Sequence, residues 1–446
     1  MDDEKTTVRF GVLGCAHISI KLCKAILRAP NATLQAIGSR SLEKATAFAA
    51  ENGLPEAVRV YGTYEGVLDD DHVDAVYIPL PTALHVTWAV RAAERGKHML
   101  LEKPVAMNTA ELDRILEACE GNGVQFMDGT MWVHHPRTAK MKEALSDEQR
   151  FGQLKWIHSC LTYNPGPEFL KHSIRAKPDL DGLGALGDTG WYCIRAILWA
   201  MNYELPKSVL AFPGAILNEQ GVIISCGSAL HWEDGRSATF HCSFLSYVTF
   251  DVTALGTKKG CLRLHDFTLP FEENFGYGTF YEASEMDYGK IEAGRWCPKP
   301  NEHVVETEVP QEVLMVKKFA ELVYNIKFCG EKPLKEWSVK HWSSTIILTR
   351  NVPSTGSVGL PPPFSRNDSS AGSIDPSPPS SVPHIFLPEL VARVVSYLAG
   401  RVNGCPLEKI QDRVLREIFL ACISHCKGIV VNAAEAEGYV RCQLYP

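Results

Sequence analysis

The residues able to do chemistry fall into two groups far apart in the chain. Lys103 ends an apolar run, Leu100-Leu101-Glu102-Lys103-Pro104. Asp188 and Tyr192 close the stretch Gly182-Leu183-Gly184-Ala185-Leu186-Gly187-Asp188-Thr189-Gly190-Trp191-Tyr192. An ammonium, a carboxylate and a phenol are groups of general acid–base catalysis. Four-residue spacing at the start of a helix puts Asp188 and Tyr192 on one face. Next to a cationic ring, Lys103 would either have its pKa lowered or hold a neighbouring phenol in a reactive state. Taken singly, each residue has a plainer reading: a solvated lysine, a capping aspartate and a half-buried core tyrosine.

A third cluster suits a phosphate-bearing ligand. Gly14-Cys15-Ala16-His17-Ile18-Ser19 follows a predicted strand and precedes a predicted helix. Gly14 permits a tight turn, and Ala16 is small enough for a pyrophosphate to reach backbone N–H groups at the helix start. Ala16 and Ser19 replace the usual second and third glycines, so the motif alone also fits an ordinary strand-to-helix turn. About 25 residues later the second strand ends Ser39-Arg40-Ser41, where an NAD site carries a carboxylate for the ribose 2′-hydroxyl. A hydroxyl and a guanidinium suit a 2′-phosphate, which favours NADP. Ser41 also reads as a helix cap, with Arg40 then solvated.

The elements that would position these groups are legible as alternation. VRFGVL, TLQAIGS, VRVYG, AVYIPL, HMLLEK and QFMDGTM are strand candidates between residue 8 and about 130. Helix-period stretches separate them: Ile18, Leu22, Ala25 and Ile26 share a face, with Pro30 closing that helix. Asn108 and Glu111 stand at capping-box spacing before Leu112, Ile115, Leu116 and Cys119. Strands joined by crossover helices imply a doubly wound parallel sheet of Rossmann type, with ligands at its carboxyl edge near Lys103. After about residue 150, SVLAFPGAIL, GVIISCGSALHW, SATFHCSFLSYVTF, FDVTALG and GCLRLHDFTL read as long strands. They predict an α+β domain with an open, mainly antiparallel sheet.

The expected division is a dinucleotide-binding domain over 1–130 and a substrate and dimerisation domain over 131–345. Residues 351–384 form a Pro- and Ser-rich disordered linker, and 385–446 a small helical extension. In that extension LPELVARVVSYLAGR and LEKIQDRVLREIFLACISHC have helical spacing.

Forty-five Lys and Arg against 52 Asp and Glu leave a net charge of -7, which gives no basic surface for nucleic acid or anionic membrane. The start MDDEKTTVRF has no signal-peptide pattern, and no uncharged apolar run approaches the roughly 20 residues of a membrane span. Fourteen cysteines without a CxxC pair argue against a disulfide framework or zinc site and fit reduced thiols in the cytoplasm. No metal is expected.

The opening turn, Ser39-Arg40, Tyr77-Ile78-Pro79-Leu80-Pro81 with His85, Glu102-Lys103-Pro104, and Gly184-Ala185-Leu186-Gly187-Asp188 with Tyr192 together resemble the Gfo/Idh/MocA oxidoreductase family. The resemblance is to its branch of dimeric dihydrodiol dehydrogenases and NADP-dependent D-xylose dehydrogenases. It covers about residues 7–335 and ends near Trp337. It implies an NADP-linked alcohol–carbonyl oxidoreductase acting on a sugar or cyclic diol, as a homodimer. Lys103 matches the catalytic lysine, Tyr192 the phenol that exchanges the proton, and Asp188 the acid that orients substrate or phenol. Gly14, Cys15, Ala16, His17, Ile18, Ser39, Arg40, Leu80, Pro81, His85, Glu102 and Lys103 would surround the coenzyme. Trp132, His135 and Arg175 are candidates for the substrate wall. The competing reading is a dinucleotide-binding regulator of the same fold without turnover; such proteins tend to lose the lysine that this chain keeps.

Overall fold

The computed structural model describes residues 7–258, 260–270, 277–283, 301–334, 429–434 and 439–444. Six parallel strands form the first sheet: β1 (Val8–Leu13), β2 (Ala32–Gly38), β3 (Arg59–Tyr61), β4 (Ala75–Ile78), β5 (His98–Leu101) and β6 (Phe126–Asp128). Between them run α1 (His17–Arg28), α2 (Leu42–Glu51), α3 (Tyr64–Leu68), α4 (Thr82–Glu94) and α5 (Thr109–Gly121). The strand order is β3-β2-β1-β4-β5-β6. Every residue of β4 and β5 is buried. Strands covered on both faces are largely apolar, which is why they appear in the sequence as short near-continuous runs. The order reverses between β1 and β4, and that switch opens a crevice at the carboxyl edge.

Helix ends follow the local chemistry. The Asn108 side chain accepts a hydrogen bond from Glu111 N at 3.0 Å, and Glu111 Oε2 accepts one from Met107 N at 3.0 Å. The expected capping box therefore forms, closing on Met107 rather than on Asn108. Ser41 Oγ accepts from Lys44 N at 3.2 Å and caps α2.

A short turn at Met131–His134 leads to α6 (Pro136–Ser146) and a second, mixed sheet. Its strands are β7 (Leu154–Thr162), β8 (Ser208–Ala211), β9 (Ile216–Leu217), β10 (Ile223–His231), β11 (Ser237–Ser243), β12 (Thr249–Gly256), β13 (Cys261–Leu264), β14 (Tyr277–Ala283) and β15 (Asn301–Glu306). They run in the order β15-β14-β13-β12-β7-β11-β10-β8, with β9 also on β10. Between β7 and β8 lie α7 (Pro167–His172), α8 (Pro178–Asp181) and α9 (Trp191–Ala200).

Two sequence expectations change here. β7 was not among the strand candidates, yet it lies mid-sheet, antiparallel to β12 and parallel to β11. Its apolar Trp156 and Ile157 are adjacent and a His-Ser-Cys run follows, so clean two-residue alternation is absent. SATFHCSFLSYVTF is two strands rather than one, because the chain turns between Ser243 and Thr249 and crosses to the other side of β7.

The helix α10 (Gln311–Cys329) leaves the second sheet and packs on the first. Phe319 lies 5.8 Å from Phe10, ring to ring, and Val316, Ala320 and Val323 are buried in the same cluster as Leu22, Ile26 and Leu100. In the chain this segment falls within 131–345, the span expected for the second domain, while its apolar face belongs to the core of the first sheet. Within Ser357–Pro446, a separate unit, the described residues are an antiparallel pair, β16 (Ile429–Ala434) with β17 (Tyr439–Leu444). These strands lie in the expected helical extension 385–446, beyond its two helical runs. The linker 351–384 and both helical runs lie outside the described residues. Among the described residues no helix is long and apolar enough to cross a membrane, and no cluster could hold a metal ion.

Candidate active site

The carboxyl end of β5 delivers Glu102 and Lys103 to the crevice, ahead of a cis Lys103–Pro104 peptide. Glu102 is buried; its Oε1 accepts from the Tyr77 hydroxyl at 2.5 Å and its Oε2 from Lys103 N at 3.1 Å. Burial pushes the pKa of both Glu102 and Tyr77 up. The Lys103 side chain, only 10% exposed, points to the second domain. Its Nζ donates to Asp188 Oδ1 at 2.7 Å and to the Asp188 carbonyl at 3.0 Å, and lies 4.6 Å from the centre of the Tyr192 ring.

Asp188 lies in a π-helical turn, Leu186–Gly190, that runs directly into α9. The glycines before it are needed for close approach. Gly184 has φ +58° and a Cβ there would lie 2.1 Å from the Ile223 carbonyl oxygen; at Gly187 a Cβ would meet Pro104 Cγ at 3.3 Å. Side chains at these positions would push the turn away from β10 and from the segment bearing Lys103. Asp188 and Tyr192 thus both meet Lys103, although the turn between them is wider than an α-helix.

Opposed charges determine the protonation states. Burial alone would raise the Asp188 pKa, but Lys103 and Arg175 hold it well below the usual carboxylate range. Burial alone would lower that of Lys103, but Asp188 outweighs it and the ammonium is held above its ordinary value. The expectation of a lowered lysine pKa is therefore reversed in the protein alone. The other reading, a cation held beside a phenol, is the one this geometry supports. At Tyr192 burial raises the pKa while Lys103 opposes it, and burial prevails.

Arg175, a predicted wall residue, is part of this cluster: its Nε lies 3.0 Å from Asp188 Oδ1. Tyr163, which no sequence signal marked, donates its hydroxyl to Asp188 Oδ2 at 2.9 Å. It follows directly on β7, the strand that the alternation pattern missed.

Three other predicted site residues are in the core. Trp132 is 3% exposed and packs edge-on against Trp199 and Phe267, with ring centres 5.7 and 5.9 Å away. His135 caps α6, its Nδ1 accepting from Arg137 N at 3.0 Å, and burial pulls its pKa down to about 4. His85 is fully buried, with Nε2 2.8 Å from the Leu80 carbonyl oxygen and Nδ1 3.3 Å from that of Val105. Its ring is bonded to the Leu80-Pro81 turn from within the core.

The crevice between β1 and β4 fits a dinucleotide. Gly14 has φ +130°, and a Cβ there would lie 3.2 Å from Leu80 Cδ2. Ser19, in place of the third glycine, donates its hydroxyl to the Gly14 carbonyl at 2.8 Å and accepts from Ala16 N at 3.1 Å, closing the turn from within. Cys15, Ala16 and Ile18 are half-buried and His17 is exposed at the start of α1. At the end of β2, Ser39 is buried and Arg40 exposed; nearby, burial raises the pKa of the Cys15 thiol against the opposing Lys44 charge.

Residues 8–130 match the family GFO_IDH_MocA, an oxidoreductase family with an NAD-binding Rossmann fold, and residues 138–261 match the GFO/IDH/MocA C-terminal domain. The chain is 35% identical over 237 residues to D-xylose 1-dehydrogenase (NADP(+)) 2 of Haloferax volcanii, covering 53% of this chain and 69% of that protein. It is 29% identical over 252 residues to trans-1,2-dihydrobenzene-1,2-diol dehydrogenase of Xenopus tropicalis, covering 56% and 73%. A 3-ketoreductase from Actinomadura kijaniata, crystallised with NADP and TDP-benzene, superposes with a TM-score of 0.64 at 25% identity, over 76% of this chain and 96% of that one.

Proposed function

The chain belongs to the Gfo/Idh/MocA oxidoreductase family, and on that basis we propose that it is an NADP-dependent enzyme interconverting alcohol and carbonyl groups on a sugar or cyclic diol. One observation carries the reading: the Lys103 ammonium is held between Asp188 Oδ1, at 2.7 Å, and the Tyr192 ring, at 4.6 Å. A regulator without turnover has no need of a cation restrained beside a half-buried phenol.

Gly14, Ala16 and the first turn of α1 would hold the pyrophosphate, and Ser39 with Arg40 the phosphorylated ribose. The absence of a carboxylate at the end of β2 supports NADP. When bound, the coenzyme supplies or accepts hydride at nicotinamide C4. The chain's own residues manage the proton. Tyr192 keeps its proton at neutral pH and donates it to the substrate oxygen in reduction, recovering it in oxidation. Lys103 stabilises the phenolate left behind, and Asp188 holds Lys103 in place. Glu102, bonded to Lys103 N and Tyr77, fixes the backbone from below. The sugar or diol class is supported by the relatives named for D-xylose and dihydrobenzenediol.

The test is turnover by NADPH and NADH absorbance with aldoses, cyclic diols and 3-keto sugar nucleotides, alongside fluorescence titration of each coenzyme. NADPH-linked turnover on one of these classes is expected. Coenzyme binding without turnover on any of them would favour the regulator instead.

A further inference from the structure

We propose that Tyr163 is a positioning residue of this site: its hydroxyl fixes Asp188 Oδ2 and so turns Oδ1 toward Lys103, holding the ammonium over Tyr192. The proposal rests on the acid–base roles given above to Lys103 and Tyr192.

The carboxylate has its donors divided. Oδ1 receives Lys103 at 2.7 Å and Arg175 at 3.0 Å, while Oδ2 receives Tyr163 at 2.9 Å. The terminal torsion of an aspartate is broad and roughly two-fold, and a lysine ammonium rides on a flexible four-carbon stem. Lys103 and Arg175 alone could therefore follow a rotating carboxylate. A donor fixed independently on Oδ2 selects one orientation.

Tyr163 is such a donor. Its backbone N–H is bonded to the Ser243 carbonyl at 3.0 Å, at the end of β11. Its ring lies 5.1 Å from Phe244 and 6.0 Å from Phe169, and those two are 5.6 Å apart. Three aromatic rings in mutual contact leave the hydroxyl little freedom. Phe169 belongs to α7, on the segment that leads to Arg175. The two phenols then divide the work. Burial and the neighbouring Asp188 charge raise the Tyr163 pKa, keeping it a donor to Asp188. Tyr192 is left to face the substrate.

Tyr163→Phe is the discriminating variant because it keeps the ring in its cluster and removes only the hydroxyl. Measured on the full chain with Tyr192→Phe alongside, it should lower kcat about ten- to a hundredfold, the scale of a small misplacement of a reacting group. Coenzyme Kd should match the parent, and the thermal midpoint should fall by no more than a few degrees, the effect of one lost hydrogen bond. The rising limb of the oxidation pH profile should move to higher pH, since a poorly held Lys103 stabilises the Tyr192 phenolate less. A parent-like kcat and profile in Tyr163→Phe beside an impaired Tyr192→Phe would overturn this role alone. A lower kcat with an unmoved profile would make Tyr163 merely structural and overturn it too. A parent-like Tyr192→Phe would overturn both the role and the acid assignment beneath it. A crystal structure of Tyr163→Phe supplies a readout independent of turnover: a rotated Asp188 is expected, and an unrotated one still bridged to Lys103 would count against the proposal.

Discussion

An ammonium 4.6 Å from the centre of a phenol ring favours the phenolate, and burial of the same phenol disfavours it; at Tyr192 burial prevails. Reduction, which in the proposed mechanism uses the protonated phenol, should therefore run at a pH-independent rate through neutrality. Oxidation, which needs the phenolate, should rise with pH. Removing the cation in Lys103→Met removes the downward pull, so the oxidation limb moves further to the alkaline side. Lys103→Met and Tyr192→Phe should each lower kcat by about 100- to 10,000-fold, the usual range for general acid–base catalysis, with coenzyme Kd within a few-fold. Steady-state rates across pH and fluorescence titrations check this; unchanged turnover in Tyr192→Phe would remove it from the mechanism. At the other end of the crevice, Arg40 is exposed and has no carboxylate beside it in Ser39-Arg40-Ser41. A charge-assisted hydrogen bond is worth about 1.5–3 kcal/mol, so Arg40→Ala should weaken NADPH by roughly 10- to 150-fold and leave NADH nearly unaffected. Equal affinity of the parent for both coenzymes would sink the NADP assignment.

Among the elements, α10 has the most distant influence. It follows the whole second sheet in the chain, yet its apolar face completes the core of the first, with Phe319 against Phe10 and Lys327 paired with Asp74. Residues near 320 therefore contribute to the core of the coenzyme domain. Phe319→Ala should cost about 3–5 kcal/mol through lost burial and the cavity left behind. In urea unfolding the midpoint should fall, with coenzyme affinity retained at low denaturant. A midpoint equal to the parent's would show that α10 does not hold the first sheet together.

At the level of the whole molecule, the site lies where two sheets meet, and buried polar groups join them. Asp128, ending β6, accepts from Thr130 Oγ1 at 2.7 Å, and Thr130 in turn accepts from Trp191 Nε1 at 3.0 Å. Arg195 Nη2 is 3.7 Å from Asp128 Oδ2, and all these side chains are buried. The same α9 carries Tyr192, so the phenol is referenced to the coenzyme sheet. On the other side, Asp181 Oδ1 accepts from Thr82 N, at the start of α4, at 2.7 Å. Each residue assigned to coenzyme or chemistry precedes residue 200, and α10 ends at Cys329. A chain ending at residue 350 should accordingly bind NADPH as the full chain does, with the same thermal midpoint. The opposing outcome has a candidate cause: Leu387, Leu390, Val391, Val394 and Val395 form an apolar stripe of the kind that a fold rarely leaves exposed. Insolubility or lost NADPH binding in the shortened chain would show that the tail belongs to the fold.

What the sequence determined by itself was whatever depends on neighbours a few residues away. The strands of the first sheet were legible because burial on both faces demands apolar runs, and the caps at Ser41 and Asn108 because capping is a three-residue event. The three residues proposed for the chemistry stood out by type and spacing, Lys103 at a strand end and Asp188 four residues before Tyr192, and the fold brings them together. Tertiary structure decided which side of an element faces the crevice. Trp132, His135 and His85 are chemically suitable, but spacing along the chain cannot distinguish a wall from a core, and packing buried them. It also decided the partners. Tyr163 and Asp188 are 25 positions apart and Lys103 and Asp188 85 apart, and no local periodicity reports a bond that only the docking of β7, β5 and the π-turn creates. Even the protonation of Lys103 was decided there, because its pKa depends on the balance between burial and neighbouring charges, above all the Asp188 carboxylate delivered by the turn before α9.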